Sequence, residues 1–218
     1  MSGAFEAYWD RAMGGDHAGV AVDPQARRAM LLTETSGRTR AVMPPAIAAA
    51  IGWSDGAGSI AEWRRRLAAA GMALNDPDAL FRWGGGEATD PRARRLDAED
   101  AAAFARFYAA ASEQDRDDAW VEWDHDAVFG AVVDGELLCA ASLYRWAGTP
   151  IADLGVLTLP QARGRGLARA VVRAIAVHAR AQGWEPQYRC QTDNAASLAL
   201  ARSSGFVRFG TWEVAVDD

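Results

Sequence analysis

The chain has 218 residues and a mass of 23.3 kDa, with half of its residues hydrophobic and 24% charged. This balance excludes a disordered tail, a collagen-like repeat and a disulfide-knotted peptide, and the length suits one domain of about 100–150 residues plus a smaller partner. A net charge of −6 and a pI of 5.1 offer no basic face to nucleic acid and favour a cationic partner. Early in the chain, Ala29–Leu32 and Arg40–Met43 flank Thr35-Ser36-Gly37-Arg38 and predict a short hairpin. Pro44-Pro45 then opens an alanine-rich helix. Ser59 and Glu62 have the spacing of a capping box, which starts a second helix through Trp63 and Leu67 to a stop at Gly71.

Gly84-Gly85-Gly86 and the polar residues after it carry no apolar period, and they divide an amino-terminal α/β unit, residues 1–86, from a larger domain, residues 92–218. Asp97 and Asp100 head a helix to about Ala111. Two β-prone runs, Val128–Val133 and Leu137–Tyr144, surround Asp134-Gly135, a strong hairpin signal. Ile151–Leu159 continues as a strand, after which strand, loop, helix, strand, helix and strand follow in order. Hairpins followed by this alternation predict a mixed sheet with helices on its faces. At the end of the chain, Phe206–Phe209 and Trp212–Val216 read as two short strands around Gly210-Thr211.

The chemistry concentrates in Val156 to Ala168. An apolar strand runs into a loop with Gly164 and Gly166, and an amphipathic helix follows with Leu167, Val171, Ile175 and Ala179 on one face and Gly183 as its stop. Such a loop aims backbone N–H groups at one point beside the positive end of a helix dipole, so it can hold a phosphate or pyrophosphate. All 23 basic residues are arginine, so neither a Walker A loop nor a pyridoxal Schiff base is possible. A dinucleotide fingerprint fails because Gly164-Arg165-Gly166-Leu167-Ala168-Arg169 ends in a bulky residue, and Gly56-Ala57-Gly58 follows a helix instead of a strand.

What is left, Gln161-x-x-Gly164-x-Gly166 after a strand, resembles the acyl-CoA pyrophosphate loop of the GNAT acetyltransferase superfamily. The resemblance covers roughly residues 92 to 216. It extends to Tyr188-Arg189-Cys190-Gln191-Thr192, similar to the family's fifth strand, and to the helix from Asn194 that ends in Gly205-Phe206. It implies a GNAT-like mixed sheet and an acetyl transfer from acetyl-CoA to a primary amine of a small molecule or a protein. Val156, Leu157 and Thr158 would pair with the pantetheine arm, and Arg163, Gly164, Arg165, Gly166, Leu167 and Ala168 would surround the pyrophosphate. Asn194 and Ser197 would contact the cofactor, cap their helix, or both.

Neutralising an amine needs a proton acceptor. By the resemblance Asp153 is one candidate, provided that a bulge re-aims it, since it lies an odd five residues before Thr158; its bland alternative is a solvent-facing strand end. Glu122, in Glu122-Trp123-Asp124-His125, is the second, with His125 beside it; such clusters also occur in solvated loops. The tyrosine that family members use to protonate the departing thiolate is replaced by Ala201, which leaves Ser197, Tyr144 or Tyr188 as substitutes. Trp123 and Trp146 could hold a cation on their faces or serve as core.

Cys139, Cys190 and the three histidines lack ligand spacing, so no metal is expected. Two cysteines point to a reducing compartment, Glu6 and Asp10 interrupt any leader-like run, and Pro44-Pro45 breaks the longest apolar stretch. The expected setting is cytoplasmic, with no membrane or nucleic-acid partner and room for a homodimer. The amino-terminal unit reads equally as a degenerate second copy of the fold, a substrate lid or an interface. A noncatalytic acyl-CoA-binding regulatory module is the alternative to an enzyme.

Overall fold

The computed structural model describes residues 3–16, 18–53, 58–88 and 90–216. His17 and residues 54–57, which hold most of the second glycine match, lie outside them. In chain order the elements are α1 (Ala4–Ala12), β1 (Gly19–Val22), β2 (Met30–Glu34), β3 (Thr39–Met43), α2 (Pro45–Ala50), α3 (Ile60–Ala69), β4 (Asp78–Trp83) and β5 (Ala93–Arg95). They continue with α4 (Ala101–Ala110), α5 (Glu113–Ala119), β6 (Ala127–Val133), β7 (Glu136–Arg145), β8 (Ile151–Thr158), α6 (Leu167–Ala181), β9 (Glu185–Gln191), α7 (Ala195–Ser204) and β10 (Phe206–Val214). The class is mixed α/β with helices flanking sheet, as the alternation of patterns predicts.

Two compact units form, neither of them a single stretch of sequence. The first comprises Met1–Leu80, Cys190–Ala195 and Arg208–Asp218, and the second Phe81–Arg189 and Ala196–Val207.

In the first unit the strands lie in the order β1-β3-β2-β10. The predicted hairpin is β2 with β3, antiparallel from Met30↔Val42 to Thr33↔Thr39. The side chain of Ser59 accepts the N–H of Glu62 at 3.2 Å and caps α3, a contact worth about 1 kcal/mol. Trp63 and Leu67 lie one turn apart on α3 and pack fully buried with Leu31, Ala41 and Met43. Truncating such a tryptophan costs about 3–5 kcal/mol. Arg40, fully buried, is paired with Glu34 at 2.6 Å and Asp10 at 2.9 Å. The carboxylates offset the desolvation of its charge.

The end of the chain corrects the expected pair of short strands. Phe206 to Val214 is one unbroken strand, β10, antiparallel to β2 from Gly210↔Glu34 to Val214↔Met30. Gly210 is no turn residue. A Cβ there would lie 2.6 Å from the carbonyl oxygen of Thr33, so glycine serves the close approach of β2.

In the second unit the order is β9-β8-β7-β6-β5, with β8 parallel to β9 and the remaining neighbours antiparallel. Asp134 and Gly135, at φ 53° and 81°, make the β6–β7 turn in the conformation that Asp-Gly favours. The Asp97–Asp100 capping box is present; a short 3-10 turn over Ala98–Asp100 precedes α4. The apolar face of α6 packs across β5, β6, β7 and β8, while α4 packs on β7 and α5 on β8. Among the described residues no helix is long and apolar enough to cross a membrane, and no cluster of three metal-ligating side chains occurs.

Candidate active site

β8 and β9 run side by side from Ile151↔Glu185 to Leu154↔Tyr188, where their pairing stops. On its other side β8 stays paired to β7 down to Cys139↔Thr158. Gly155–Thr158 therefore keeps one strand edge open toward β9, the arrangement in which an extended ligand can pair as an added strand.

This open edge leads into the glycine loop. A 3-10 turn over Pro160–Ala162 ends at Arg163, and Gly164 and Gly166 follow in the left-handed region at φ 75° and 77°. Nothing lies within 4 Å of a Cβ built on Gly164, so the position is open as well as strained for any other residue. α6 starts at Leu167 without a side-chain cap. Its first N–H groups have no partner within the helix and lie at the positive end of a 15-residue dipole, next to the two glycines. The residues present fit a pyrophosphate.

The side chain of Arg163 and the backbone of Arg165 are each held by a neighbour. The guanidinium of Arg163 turns back, donating to the Thr158 carbonyl at 3.3 Å and pairing with Asp115 of α5 at 2.7 Å. The hydroxyl of Ser112, and then the charge of Arg163, hold the Asp115 carboxyl below its usual range. Arg92 donates to the Arg165 carbonyl at 3.3 Å. Both contacts brace the loop.

One face of β7 and β8 carries the titratable groups. The register sets Tyr144 opposite Asp153 and Ser142 opposite Gly155. It runs from Arg145↔Ala152 to Cys139↔Thr158 in single steps, without the bulge that the sequence reading required to re-aim Asp153. Asp153 instead shares its face with Gly155 and Leu157. It is 3% exposed, and so is not a solvent-facing strand end. Its carboxylate accepts from Tyr144 Oη at 2.9 Å, Gln187 Nε2 at 3.3 Å and Arg189 Nε at 2.8 Å, with Arg189 Nη2 at 2.7 Å. Burial, and then the Asp153 charge, push the Tyr144 phenol up to about 12.

Glu122 approaches the same face from the segment after α5. Its N–H donates to Ser142 Oγ at 3.2 Å, and its carboxylate accepts from Tyr108 Oη at 3.1 Å. Ser142 Oγ also lies 2.8 Å from His125 Nδ1, which fits a hydroxyl that accepts from Glu122 and donates to a neutral imidazole. Burial lowers the pKa of His125, although Asp124, Glu122 and Asp126 act in the opposite sense. A Cβ on Gly155 would collide with the carbonyl oxygen of Ala119. Glycine there lets the end of α5 rest on β8.

On the other face, Tyr188 Oη lies 3.0 Å from Ser197 Oγ. Tyr188 is buried, and Ala201, one turn beyond Ser197 on α7, is fully buried. Val156 and Thr158 are half-buried on the open edge and Leu157 is buried; Ala168 is half-buried at the start of α6. Asn194 belongs to the first unit and is exposed. Trp123 packs on Phe104 with ring centres 5.1 Å apart, and the face of Trp146 is taken by Arg189 at 5.7 Å.

Sequence reasoning missed Ser142, Gly155, Arg189 and Trp120. A glycine inside an otherwise apolar strand was the available signal for close backbone approach at Gly155. Ser142 and Tyr144, two apart in a strand, had the spacing of a shared face.

The model of the acetyltransferase (GNAT) family matches residues 90–206. Among solved structures, a protein from Novosphingobium aromaticivorans DSM 12444 described as an acetyltransferase of the GNAT family is similar. The TM-score is 0.52 at 23% identity, covering 66% of this chain and 66% of that one. A GNAT-family acetyltransferase from Colwellia psychrerythraea gives a TM-score of 0.50 at 21% identity, over 66% of this chain and 57% of that one. These likenesses are of fold, and the matched part spans less than two thirds of either protein's length. No curated protein matches the sequence.

Proposed function

This chain belongs to the GNAT acetyltransferase family, and on that premise we propose that it moves the acetyl group of acetyl-CoA to a primary amine of a small molecule or a protein. The observation that carries the reading is the end of the β8–β9 ladder at Leu154 and Tyr188, which leaves an open strand edge running into the glycine loop. In this reading the N–H groups from Gly164 to Ala168 hold the pyrophosphate, and the backbone of Val156, Leu157 and Thr158 pairs with the pantetheine amides. Acetyl-CoA, when bound, supplies a thioester carbonyl open to attack by a neutral amine.

Glu122 is the proton acceptor in this account. It is half-buried and accepts one side-chain donor, Tyr108. Asp153 accepts three donor side chains, one of them cationic, so its oxygens are already engaged by Tyr144, Gln187 and Arg189. Asp153 is then a positioning residue that fixes Tyr144 and Arg189. Protonation of the departing thiolate falls to Tyr188, with Ser197 as its partner. A reducing, cytoplasmic setting, in which Cys139 and Cys190 stay thiols, belongs to the same reading.

The test is thermal stabilisation by acetyl-CoA or CoA against NAD and ATP, followed by detection of free CoA thiol with a panel of amines. The reading expects a CoA-dependent shift of several degrees, none with NAD or ATP, and loss of that shift in Gly164→Glu, where a charged side chain enters the cradle. A shift with NAD alone would overturn it. The buried Ala201, without a hydroxyl, favours a second reading, a noncatalytic acyl-CoA-binding module. It predicts the same shift with no thiol release from any amine.

A further inference from the structure

Trp120 is unlike the other tryptophans in the second unit. It is half exposed, at 51%, although it is among the largest apolar side chains of the protein. It ends α5 in the left-handed conformation at φ 43°, held by its N–H to the Arg116 carbonyl at 2.9 Å. That backbone is uncommon for a bulky residue, and such strain persists where the surroundings impose it. Here they do. The carbonyl of Ala119 sits on Gly155, with the Trp120 carbonyl 3.1 Å from a Cβ built there, so β8 itself holds the backbone that carries the indole.

Around this indole the rings are aromatic and the charges acidic. Tyr144 meets it edge to face with centroids 4.4 Å apart, and His125 does so at 5.4 Å. Asp124, Glu122 and Asp126 all act on the His125 ring as negative charges. Arg145 is neutralised by Asp126 and Arg189 by Asp153. An exposed indole whose ring neighbour His125 feels the charges of Glu122 and Asp124 attracts a cation and repels an anion. Gly155, against which this segment rests, is the first residue of the open edge along which the reading above places the pantetheine arm.

We propose that Trp120, with Tyr144, His125 and the carboxylates of Glu122 and Asp124, forms the acceptor subsite, and that its ligand is a cationic amine on an apolar carbon framework. The framework lies on the indole, the ammonium faces the carboxylates, and Glu122 stands where the proton must leave. An acidic or uncharged acceptor has no matching group here. The inference rests on the acetyltransferase reading, since that reading gives the subsite its role.

The test uses phenyltrimethylammonium, which cannot be acetylated, and its uncharged isostere tert-butylbenzene. Binding to the full chain is followed by calorimetry with and without CoA. The expected result is binding of the cation and not of the isostere, weakened roughly tenfold in Trp120→Leu and less in Trp120→Phe. Both variants should keep the wild-type thermal shift with CoA, which shows that they fold. Absence of cation binding, equal binding of the isostere, or unchanged affinity in Trp120→Leu would each overturn the subsite. If CoA itself gives no shift, it is the acetyltransferase reading that fails.

Discussion

The phenol of Tyr188 and the hydroxyl of Ser197 lie 3.0 Å apart, at the last residue of β9 that pairs with β8. If the thioester occupies the open edge, this hydroxyl pair borders the sulfur, and Ala201 leaves no other hydroxyl one turn along α7. Tyr188→Phe removes the proton donor and keeps the ring that packs on Phe81 and Phe206. The expected outcome is a loss in kcat of about tenfold with CoA affinity unchanged, modest because a thiol of pKa about 8.5 is a fair leaving group. Steady-state kinetics with a CoA titration check it; an unaltered kcat would remove Tyr188 from the reaction.

The two carboxylates should separate by what their amides do. Glu122→Gln should leave the melting temperature near wild type and lower kcat about a hundredfold, most severely at low pH, where fewer amine molecules are already neutral. Asp153→Asn strips the buried partner of Arg189, at 2.7 Å, and should cost about 3 kcal/mol of stability. The outcome that reverses their roles is also definite: a stable Asp153→Asn that binds CoA and turns over poorly, beside an active Glu122→Gln.

The glycine loop and α6 were legible because each has a strong local signature, two glycines at φ above 70° and an apolar face repeated every fourth residue. α5 was not. Its residues Glu113–Ala119 carry no buried side chain, so no apolar period marks it, and only Ser112 with Asp115 three residues on, whose N–H it accepts at 3.1 Å, announced a cap. β4 holds a short continuous apolar run, Ala79-Leu80-Phe81, all buried, which periodicity cannot assign. Gly210 misled because a glycine that admits a neighbouring carbonyl reads the same as one that makes a turn. In the site, the loop follows from its own residues, whereas the grouping of Glu122, Ser142, Tyr144 and Gly155 depends on the β7–β8 register and on where α5 lands, which no local pattern encodes.

Alkaline pH should weaken the fold through Tyr144. Burial and then Asp153 raise its phenol to about 12, above the unfolded value of about 10. Between these values the unfolded chain has released a proton that the folded chain keeps, so stability is intact below pH 10 and falls as pH rises toward 12. Denaturant midpoints across that range should decline less in Tyr144→Phe than in the wild type. Equal slopes would show that Tyr144 does not retain its proton.

Removal of the amino-terminal residues tests how β10 is protected. β2 covers one edge of β10 through Gly210↔Glu34 to Val214↔Met30, and α1 places Phe5 against Phe209 and Trp9 against Trp212, with ring centres 5.2 and 5.7 Å apart. Deleting residues 1–85 uncovers that edge together with two aromatic rings, the combination that promotes edge-to-edge association. The residue 86–218 fragment is therefore expected to aggregate on expression, while Thr33→Pro in the full chain, placed opposite Thr211, should lower stability without exposing α1's partners. Size-exclusion chromatography of the fragment gives the decision. A soluble monomer that binds CoA like the full chain would mean that β10 needs neither β2 nor α1, and that residues 1–85 serve a purpose other than folding.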